Sequence, residues 1–217
     1  MIIHKIAGFK ELTIFDLDGT LLDYRTEEET AISHVCRLLY SERAVDPAEV
    51  RNVYTAAKRE ARQRVAPSGG QLCARFDSLV RGLDLPQSLS AYLLKEYISA
   101  RVHACRPYPD ATQIITSFCA YSYRAAVLTN GACQLQRSRL TAAGLYNLFS
   151  AIYSSEEIGW TKPDRRAFDF VLCECGSAYD RCRVVGDDPT ADLREPARHG
   201  ADTWLVDRTE QCVRRWQ

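Results

Sequence analysis

Four short clusters of acidic, hydroxyl, amide and basic residues have side chains that suit chemistry on a phosphate group. They are Asp16-Leu17-Asp18-Gly19-Thr20, Thr129-Asn130-Gly131, Lys162-Pro163 and Gly186-Asp187-Asp188 with Asp192 further on. Two carboxylates about 4 Å apart repel each other by about 4 kcal/mol at an effective dielectric of about 20, so a group of several needs a cation. Oxygen ligands without clustered histidine or cysteine suit Mg²⁺, which often shares the phosphate of its substrate. The residue types therefore predict a magnesium site that receives a phosphate or another hard anion.

The same clusters contain the groups that transfer of a phosphoryl group requires. One carboxylate of such a site can attack phosphorus and form an aspartyl-phosphate, and a second can act as general acid and base. Thr129 supplies a hydroxyl, and Lys162 supplies a compact positive charge. Asn130-Gly131 supplies unhindered donors at the start of a predicted helix, where anions bind readily. The residue types alone leave open which carboxylate takes which role.

Strands and helices must alternate along the chain to place these clusters. Five short apolar runs predict strands, at 12–17, 124–129, 149–153, 183–185 and 203–206. Helical patterns lie between them, at 110–121, 133–143, 164–175 and 190–199. This alternation predicts an α/β fold with a doubly wound parallel sheet, in which ligands bind at the carboxyl ends of the strands. Three clusters follow predicted strands directly, so we expect all four to converge at that edge of the sheet.

The segment from 26 to 102 differs from the rest of the chain because it has no strand pattern. Four helical segments occupy it, which predicts a small helical bundle. Thr26-Glu27-Glu28-Glu29 opens the first segment like a capping box, and Asp46-Pro47 opens the second with a cap residue before proline. We therefore expect a helical domain inserted into the α/β domain.

The composition of the 217 residues is that of a globular protein, with 46% hydrophobic and 26% charged residues. The formal net charge is +0, which argues against nucleic acid as a partner. No run of about 18 apolar residues predicts a membrane span. Nine cysteines, an odd number without a C-x-x-C pair, favour a reducing compartment, so we expect a cytoplasmic protein. No pattern predicts the oligomeric state.

The four clusters, in this order and spacing, resemble the four motifs of the haloacid dehalogenase-like (HAD) superfamily. The resemblance extends from about Leu12 to Arg208. It implies a Rossmann-like α/β core at 1–21 and 106–217, with an inserted α-helical cap of type C1 at 22–105. Leu21-Leu22-Asp23-Tyr24 resembles the turn and flap that link the core to the cap.

The resemblance also implies roles for the residues of the first three motifs. Asp16 would be the nucleophile and a magnesium ligand. Asp18 would protonate the leaving oxygen, then activate water, and offer its backbone carbonyl to the metal. Lys162 would neutralise charge on Asp16 and on the phosphoryl group. The phosphoryl oxygens would be held by Thr129 and Asn130, with Gly131 beside them.

The fourth motif would complete the metal site. Asp187 would bind magnesium, and Asp192 would act on it directly or through water. The role of Asp188 stays open between ligand, hydrogen-bond acceptor and bystander, because the family often has a small polar residue there.

Within this superfamily, the resemblance implies magnesium-dependent hydrolysis of a small phosphomonoester through an aspartyl-phosphate. A nucleoside 5′-monophosphate and a sugar phosphate are equal candidates as substrate. Dehalogenases of this fold lack a carboxylate at the position of Asp18, which argues against dehalogenation. A sugar-phosphate mutase keeps that acid and stays open as an alternative. An inactive phosphate-binding regulator would usually have lost Asp16, Asp18 or Lys162, and all three are present.

Recognition of the leaving group would fall to the cap, because the core contacts only the phosphate. Basic and aromatic residues of the insert are the candidates, although a solvated helix face or a bundle core would explain most of them. These candidates are Arg59, Arg62, Arg64, Arg75, His103, Tyr54, Phe76 and Tyr92.

Overall fold

The computed structural model of the chain describes residues 1–6, 8–63 and 68–216. The chain divides into two compact units. One is formed by Met1–Asp23 with Arg106–Gln217, and the other by Tyr24–Cys105. The first is an α/β unit built on a single sheet, and the described residues of the second form helices.

The sheet of the α/β unit has seven strands within the described part of the chain. They are β1 (Ile2–Ile3), β2 (Lys10–Phe15), β3 (Ser122–Thr129), β4 (Ala151–Ser154), β5 (Cys182–Gly186), β6 (Asp202–Asp207) and β7 (Cys212–Arg215). Their order is β1-β7-β6-β5-β2-β3-β4. All neighbouring pairs are parallel except β6 with β7. The predicted α/β class and the parallel centre of the sheet are confirmed.

The edges of the sheet correct the prediction of five parallel strands. β1 has two residues, too few for a period-two pattern to reveal. β7 returns after a turn and pairs antiparallel with β6, with Cys212 opposite Asp207. β4 begins at Ala151 instead of Phe149, because a short 3-10 helix at Tyr146–Leu148 comes just before it and Phe149 forms its C-cap.

Helices cover the sheet and form the second unit. The second unit contains α1 (Tyr24–Arg43), α2 (Pro47–Gln63), α3 (Ser68–Gly82) and α4 (Leu89–Ala104). The α/β unit contains α5 (Ala111–Cys119), α6 (Cys133–Ala142), α7 (Ser155–Ile158), α8 (Arg165–Glu174) and α9 (Arg194–Arg198). The predicted helix at 190–199 is divided, since Pro189–Leu193 forms a π-helical turn before α9. Among the described residues, no helix has both the length and the apolar character needed to cross a membrane.

Side chains of β2 alternate between the two faces of the sheet, as its pleat requires. Leu12 and Ile14 pack with Phe168 of α8 on one face. Phe15 makes an edge-to-face contact with Phe118 of α5 on the other, with ring centroids 6.1 Å apart. β2 is therefore buried on both faces, and its end provides a rigid support for the residues that follow.

The strand order places three carboxyl ends side by side. β2 lies between β5 and β3, and the direction in which the strands are added reverses at β2. Phe15, its last residue, is in register with Val127 on one side and Val185 on the other. The loops after these strands therefore meet at one edge, the usual ligand position in a doubly wound sheet.

The helical unit has an aromatic centre. Tyr54, Phe76 and Tyr97 are all buried. Their ring centroids lie between 5.1 and 6.2 Å apart. These contacts join α2, α3 and α4, and the four helical segments predicted for this region are present. The assignment of the two units as a HAD core and a cap stays a prediction.

Candidate active site

The sequence clusters meet at the carboxyl edge of the sheet. Asp16 follows β2, Thr129 ends β3 and Gly186 ends β5. Lys162 belongs to the loop between α7 and α8, and its ammonium group reaches Asp16. Residues from four separate parts of the chain thus surround one point.

Three carboxylates share one lysine at this point. Oxygens of Asp16, Asp187 and Asp192 all lie within 4.8 Å of one another. The Lys162 Nζ atom donates to Asp16 Oδ1 at 2.6 Å and to Asp192 Oδ1 at 2.7 Å. The Thr20 hydroxyl donates to Asp16 Oδ2 at 2.9 Å. We call Asp16, Asp187, Asp192 and Lys162 the acid cluster.

The acid cluster carries more negative charge than Lys162 balances. Burial raises the pKa of Asp16 to about 8, although Lys162 opposes the rise, and repulsion from Asp192 adds to it. Burial also raises the pKa of Asp187 to about 6, again with repulsion from Asp192. Burial alone would lower the pKa of Lys162, but the carboxylates of Asp16 and Asp192 outweigh it and raise that pKa. A further cation would balance this excess of negative charge.

The donor set of the acid cluster fits a magnesium ion. All the clustered donors are carboxylate oxygens, the ligand type that Mg²⁺ prefers over nitrogen and sulfur. Asp16, Asp187 and Asp192 would hold the ion between them. The predicted contact from the backbone carbonyl of Asp18 stays a prediction.

Two glycines allow the carboxylates to come this close. A Cβ atom at Gly19 would lie 2.3 Å from Asp187 Oδ2, and a Cβ atom at Gly186 would lie 2.4 Å from Asp192 Oδ2. Gly19 also has a φ of +90°, which other residues rarely adopt. Any side chain at either position would displace an acid of the cluster.

Asp188 has a capping role beside the cluster. Its Oδ1 atom accepts hydrogen bonds from the backbone N–H groups of Thr190 and Ala191, at 2.8 and 3.1 Å. Its own N–H donates to Asp192 Oδ2 at 3.1 Å. Asp188 therefore shapes the turn that presents Asp192.

The Asp18 carboxylate is held by two residues that the sequence analysis missed. Arg139 Nη1 donates to Asp18 Oδ1 at 2.6 Å, and Gln136 Nε2 donates to Asp18 Oδ2 at 2.9 Å. Both lie on the buried face of α6 with Leu135 and Leu140. The available signal was a glutamine and an arginine on the apolar face of the helix that follows the Thr129 cluster.

Thr129 and Gly131 belong to the same network. Gln136 Nε2 donates to Thr129 Oγ1 at 2.8 Å, and the Gly131 N–H donates to the same oxygen at 3.2 Å. The carboxylate of Glu156 accepts from the N–H of Cys133 at 2.7 Å. At the start of α6, where backbone donors are predicted to bind an anion, the N–H groups of Gly131 and Cys133 therefore already donate to protein oxygens.

Asn130 acts on the loop that carries Lys162. Its Nδ2 atom donates to the Lys162 carbonyl at 2.9 Å, and its Oδ1 atom accepts from the Lys162 N–H at 2.8 Å. This pair of bonds fixes the backbone from which the lysine side chain extends. The phosphoryl contact expected of Asn130 stays a prediction.

Arg208 is a further residue that the sequence analysis did not select. Its Nε atom donates to the Gly19 carbonyl at 3.2 Å, and its Nη2 atom donates to the Thr20 carbonyl. Its Nη1 atom pairs with Asp110 at 2.7 Å. Arg208 therefore supports the loop after β2 from the turn that follows β6.

The cap candidates are placed within the helical unit as follows. Tyr54 and Phe76 are buried in the aromatic centre, and Arg75 pairs with Glu28 and with the Tyr54 hydroxyl. Tyr92 bonds Glu42 on the surface. Two candidates, Arg59 and His103, are exposed, Arg62 belongs to α2, and Arg64 lies outside the described residues.

The acid cluster lies at the carboxyl ends of the central strands, where doubly wound α/β sheets bind their ligands, and its oxygens could hold a metal ion. Comparison with known families identifies the group. The model of the haloacid dehalogenase-like hydrolase family matches residues 13–206, so the chain belongs to this family. The resemblance found from the four motifs is confirmed.

Two relatives share sequence with part of the chain. It is 39% identical to the phosphoserine phosphatase of Thermus thermophilus over 101 residues, which are 46% of this chain and 41% of that protein. It is 33% identical to the pyrimidine 5′-nucleotidase YjjG of Escherichia coli over 135 residues, which are 60% of this chain and 57% of that protein. The chain thus spans about half the length of these relatives.

A solved structure shares the fold. The HAD-hydrolase YfnB of Bacillus subtilis, in a magnesium-bound crystal structure, aligns with a TM-score of 0.69 and 23% identity. The alignment covers 90% of this chain and 87% of that protein. At this identity the likeness concerns the fold.

Proposed function

We propose that this protein is a phosphatase that hydrolyses a small phosphomonoester with magnesium, through an aspartyl-phosphate on Asp16. The observation that carries the proposal is the acid cluster, in which the buried carboxylates of Asp16 and Asp192 and the half-buried carboxylate of Asp187 lie around a single lysine. A bound divalent cation and a phosphoryl group that shares it would complete such a site. The names of the two relatives, a phosphoserine phosphatase and a 5′-nucleotidase, support the same reaction class.

Asp16 is the proposed nucleophile. Hydrogen bonds from Lys162 and Thr20 hold its two oxygens in place, so the carboxylate is oriented before substrate arrives. An oxygen of Asp16 forms a bond to phosphorus while the bond from phosphorus to the leaving oxygen breaks. The protonated Asp18 carboxyl donates its proton to that leaving oxygen.

Asp18 then reverses its role. It accepts a proton from water as the water oxygen attacks phosphorus, which releases inorganic phosphate and restores the Asp16 carboxylate. Lys162 neutralises charge on Asp16 and on the phosphoryl oxygens. Magnesium, when bound by Asp16, Asp187 and Asp192, supplies charge neutralisation and orientation of the phosphoryl oxygens.

The substrate is a nucleoside 5′-monophosphate or a sugar phosphate, and the helical unit acts as the cap that recognises the leaving group. In the core site, Lys162 and a bound magnesium ion would supply the positive charge that the phosphate requires. We place the reaction in the cytoplasm, where a reducing environment suits nine cysteines that form no disulfide.

The direct test is release of phosphate from p-nitrophenyl phosphate by the purified protein with and without magnesium. We expect turnover that requires the metal and is abolished in Asp16→Asn. A panel of nucleotides and sugar phosphates then ranks the substrates, and analysis for isomerised sugar phosphate separates the hydrolase from a mutase. Absence of turnover, or turnover unchanged by Asp16→Asn, would refute the proposal.

A further inference from the structure

The hydrogen bonds around Gln136 form a chain that joins the proposed acid–base residue to the proposed phosphate-binding hydroxyl. Arg139 donates to both Asp18 and Gln136 and has no exposed surface. Gln136 is 1% exposed. The Asp18 side chain is 31% exposed, so it is the member of this hydrogen-bond network that solvent can reach. We propose that Gln136 and Arg139 are positioning residues that set Asp18 and Thr129 for reaction. This inference rests on the proposed phosphatase function.

Arg139 determines which way the Gln136 amide faces. Arg139 Nη1 donates to Gln136 Oε1 and also to Asp18 Oδ1. A guanidinium group has only donors, so it requires the amide oxygen, and not the amide nitrogen, on its own side. The Nε2 group of Gln136 must therefore face away from Arg139.

Gln136 uses both of its amide hydrogens in that orientation. One goes to Asp18 Oδ2 at 2.9 Å and the other to Thr129 Oγ1 at 2.8 Å. The glutamine therefore links the carboxylate and the hydroxyl across a single planar group. A flip of the amide would place its oxygen against the Asp18 carboxylate and would reverse the direction of the hydrogen bond to Thr129.

The Thr129 hydroxyl is left with its hydrogen to offer. Its oxygen accepts from Gln136 and from the Gly131 N–H at 3.2 Å, which occupies both acceptor positions of a hydroxyl. The O–H group is then oriented as a donor, which is what an incoming phosphoryl oxygen needs. Arg139 thus acts on Thr129 through Gln136.

This network gives a further reason for glycine at position 131. A Cβ atom at position 131 would lie 2.1 Å from Gln136 Nε2. Glycine at this position leaves the space in which the amide reaches Asp18 and Thr129.

Two variants separate the two ends of the network. Arg139→Lys keeps the charge but removes the fork that holds both Asp18 and the Gln136 oxygen. Gln136→Glu keeps the shape of the side chain but replaces the Nε2 donor by an acceptor. The Thr129 hydroxyl would then donate its hydrogen to residue 136 and not to a phosphoryl oxygen. Arg137→Gln is the matched control, because Arg137 is the neighbouring exposed arginine of α6 and pairs with Glu157.

The first measurement compares kcat/KM for two esters, because kcat/KM reports formation of the phosphoenzyme. p-Nitrophenolate leaves without a proton, whereas the alkoxide of glycerol 2-phosphate needs the proton from Asp18. We expect Arg139→Lys to lower kcat/KM about 100-fold for glycerol 2-phosphate, the range of a general acid, and at most about 10-fold for p-nitrophenyl phosphate, for which only the contact with the phosphoryl group through Thr129 is weakened. The Arg137→Gln control should match the wild type on both esters.

The second measurement is binding of inorganic phosphate by calorimetry in the presence of magnesium. We expect Gln136→Glu to weaken phosphate binding about 10-fold, as loss of one buried hydrogen-bond donor implies. Thr129→Val should weaken it to a similar extent alone, and should add little in the Gln136→Glu background because the two residues act as a unit.

The outcomes are distinct. Equal losses on the two esters in Arg139→Lys, or additive losses of phosphate binding in the Gln136 and Thr129 cycle, would overturn the positioning role in an active enzyme. If Arg139→Lys melts below the assay temperature, the Gln136 and Thr129 cycle decides alone. A wild type without turnover on either ester would instead refute the proposed function, and this inference with it.

Discussion

Each of the two units contains a cluster of charged side chains, and the two clusters are balanced in opposite ways. In the α/β unit, Asp16, Asp187 and Asp192 share the single ammonium group of Lys162. In the helical unit the ratio is reversed, since one carboxylate faces two cations. The members of the helical cluster are half-buried, whereas Asp16, Asp192 and Lys162 are almost fully buried, so the clusters differ in burial as well as in charge balance.

The helical cluster is centred on Glu28. Lys58 donates to its Oε2 atom, and Arg75 lies 3.5 Å from its Oε1 atom. The Tyr54 hydroxyl also donates to Oε1, at 2.9 Å. Burial alone would raise the pKa of Glu28, but the hydrogen bond and charge of Lys58 outweigh it and hold that pKa below its ordinary value.

The pKa values of Asp16 and Glu28 shift in opposite directions. The fold stabilises the ionised form of Glu28, whereas it opposes the ionised form of Asp16, whose pKa rises to about 8. A buried group whose charge the protein itself does not balance is a candidate for binding a ligand that does. The acid cluster is therefore a candidate for ligand binding, whereas Lys58 and Arg75 already balance the charge of Glu28.

The largest expected effect is the loss of activity in Asp16→Asn. We expect kcat/KM for p-nitrophenyl phosphate to fall by at least about 1,000-fold, because the nucleophile is removed. The free energy of unfolding should stay the same or rise, because one of three mutually repelling carboxylates is gone. Phosphate release and urea denaturation measure the two quantities. A large loss of stability would show that Asp16 is a structural group like Glu28.

Magnesium should stabilise the protein through the acid cluster alone. At a metal concentration about 100 times Kd, binding to the folded state adds about 2.7 kcal/mol to the free energy of unfolding. We expect this gain in the wild type and in Glu28→Gln, and expect it to disappear in Asp187→Asn. Melting curves with magnesium and with a chelator provide the measurement, and an equal gain in Asp187→Asn would contradict the assignment of the site.

Glu28→Gln should affect stability and not chemistry. It leaves Lys58 and Arg75 without their half-buried anion, which we expect to lower the free energy of unfolding by about 1–3 kcal/mol. Turnover of p-nitrophenyl phosphate should remain within about 3-fold of the wild type, since the acid cluster is intact. Urea denaturation measures the stability and a steady-state assay measures the turnover. A variant that is as stable as the wild type but has lost turnover would show that Glu28 takes part in the reaction.

The smallest effect is the pH dependence of that stability difference. The folded pKa of Glu28 is lower than its unfolded pKa, so ionised Glu28 stabilises the folded state above the unfolded value. The contribution is lost as the pH falls through the folded pKa. We therefore expect the difference between the wild type and Glu28→Gln to be constant near neutral pH and to shrink below about pH 4.5. A difference that grows on acidification would contradict the sign of the shift.

The sequence by itself determined the α/β class, the helical segments and the motif residues at the strand ends. Those features are local, since a period of two or 3.6 and the residues at a strand terminus can be read from neighbouring positions. It also indicated that Asp16 and Lys162 would meet, because the carboxyl ends of parallel strands share one edge of the sheet.

Only the tertiary structure decided the partners of those residues. Arg139 and Asp18 are separated by 121 positions in the chain, and Gln136 and Asp18 by 118. Asn130 binds the backbone of Lys162 across 32 positions. Which side chains meet at such distances depends on strand order, register and the facing of helices, and no local period encodes these. The motifs identified the chemical groups, and the packing of α6 against the site determined how they are held.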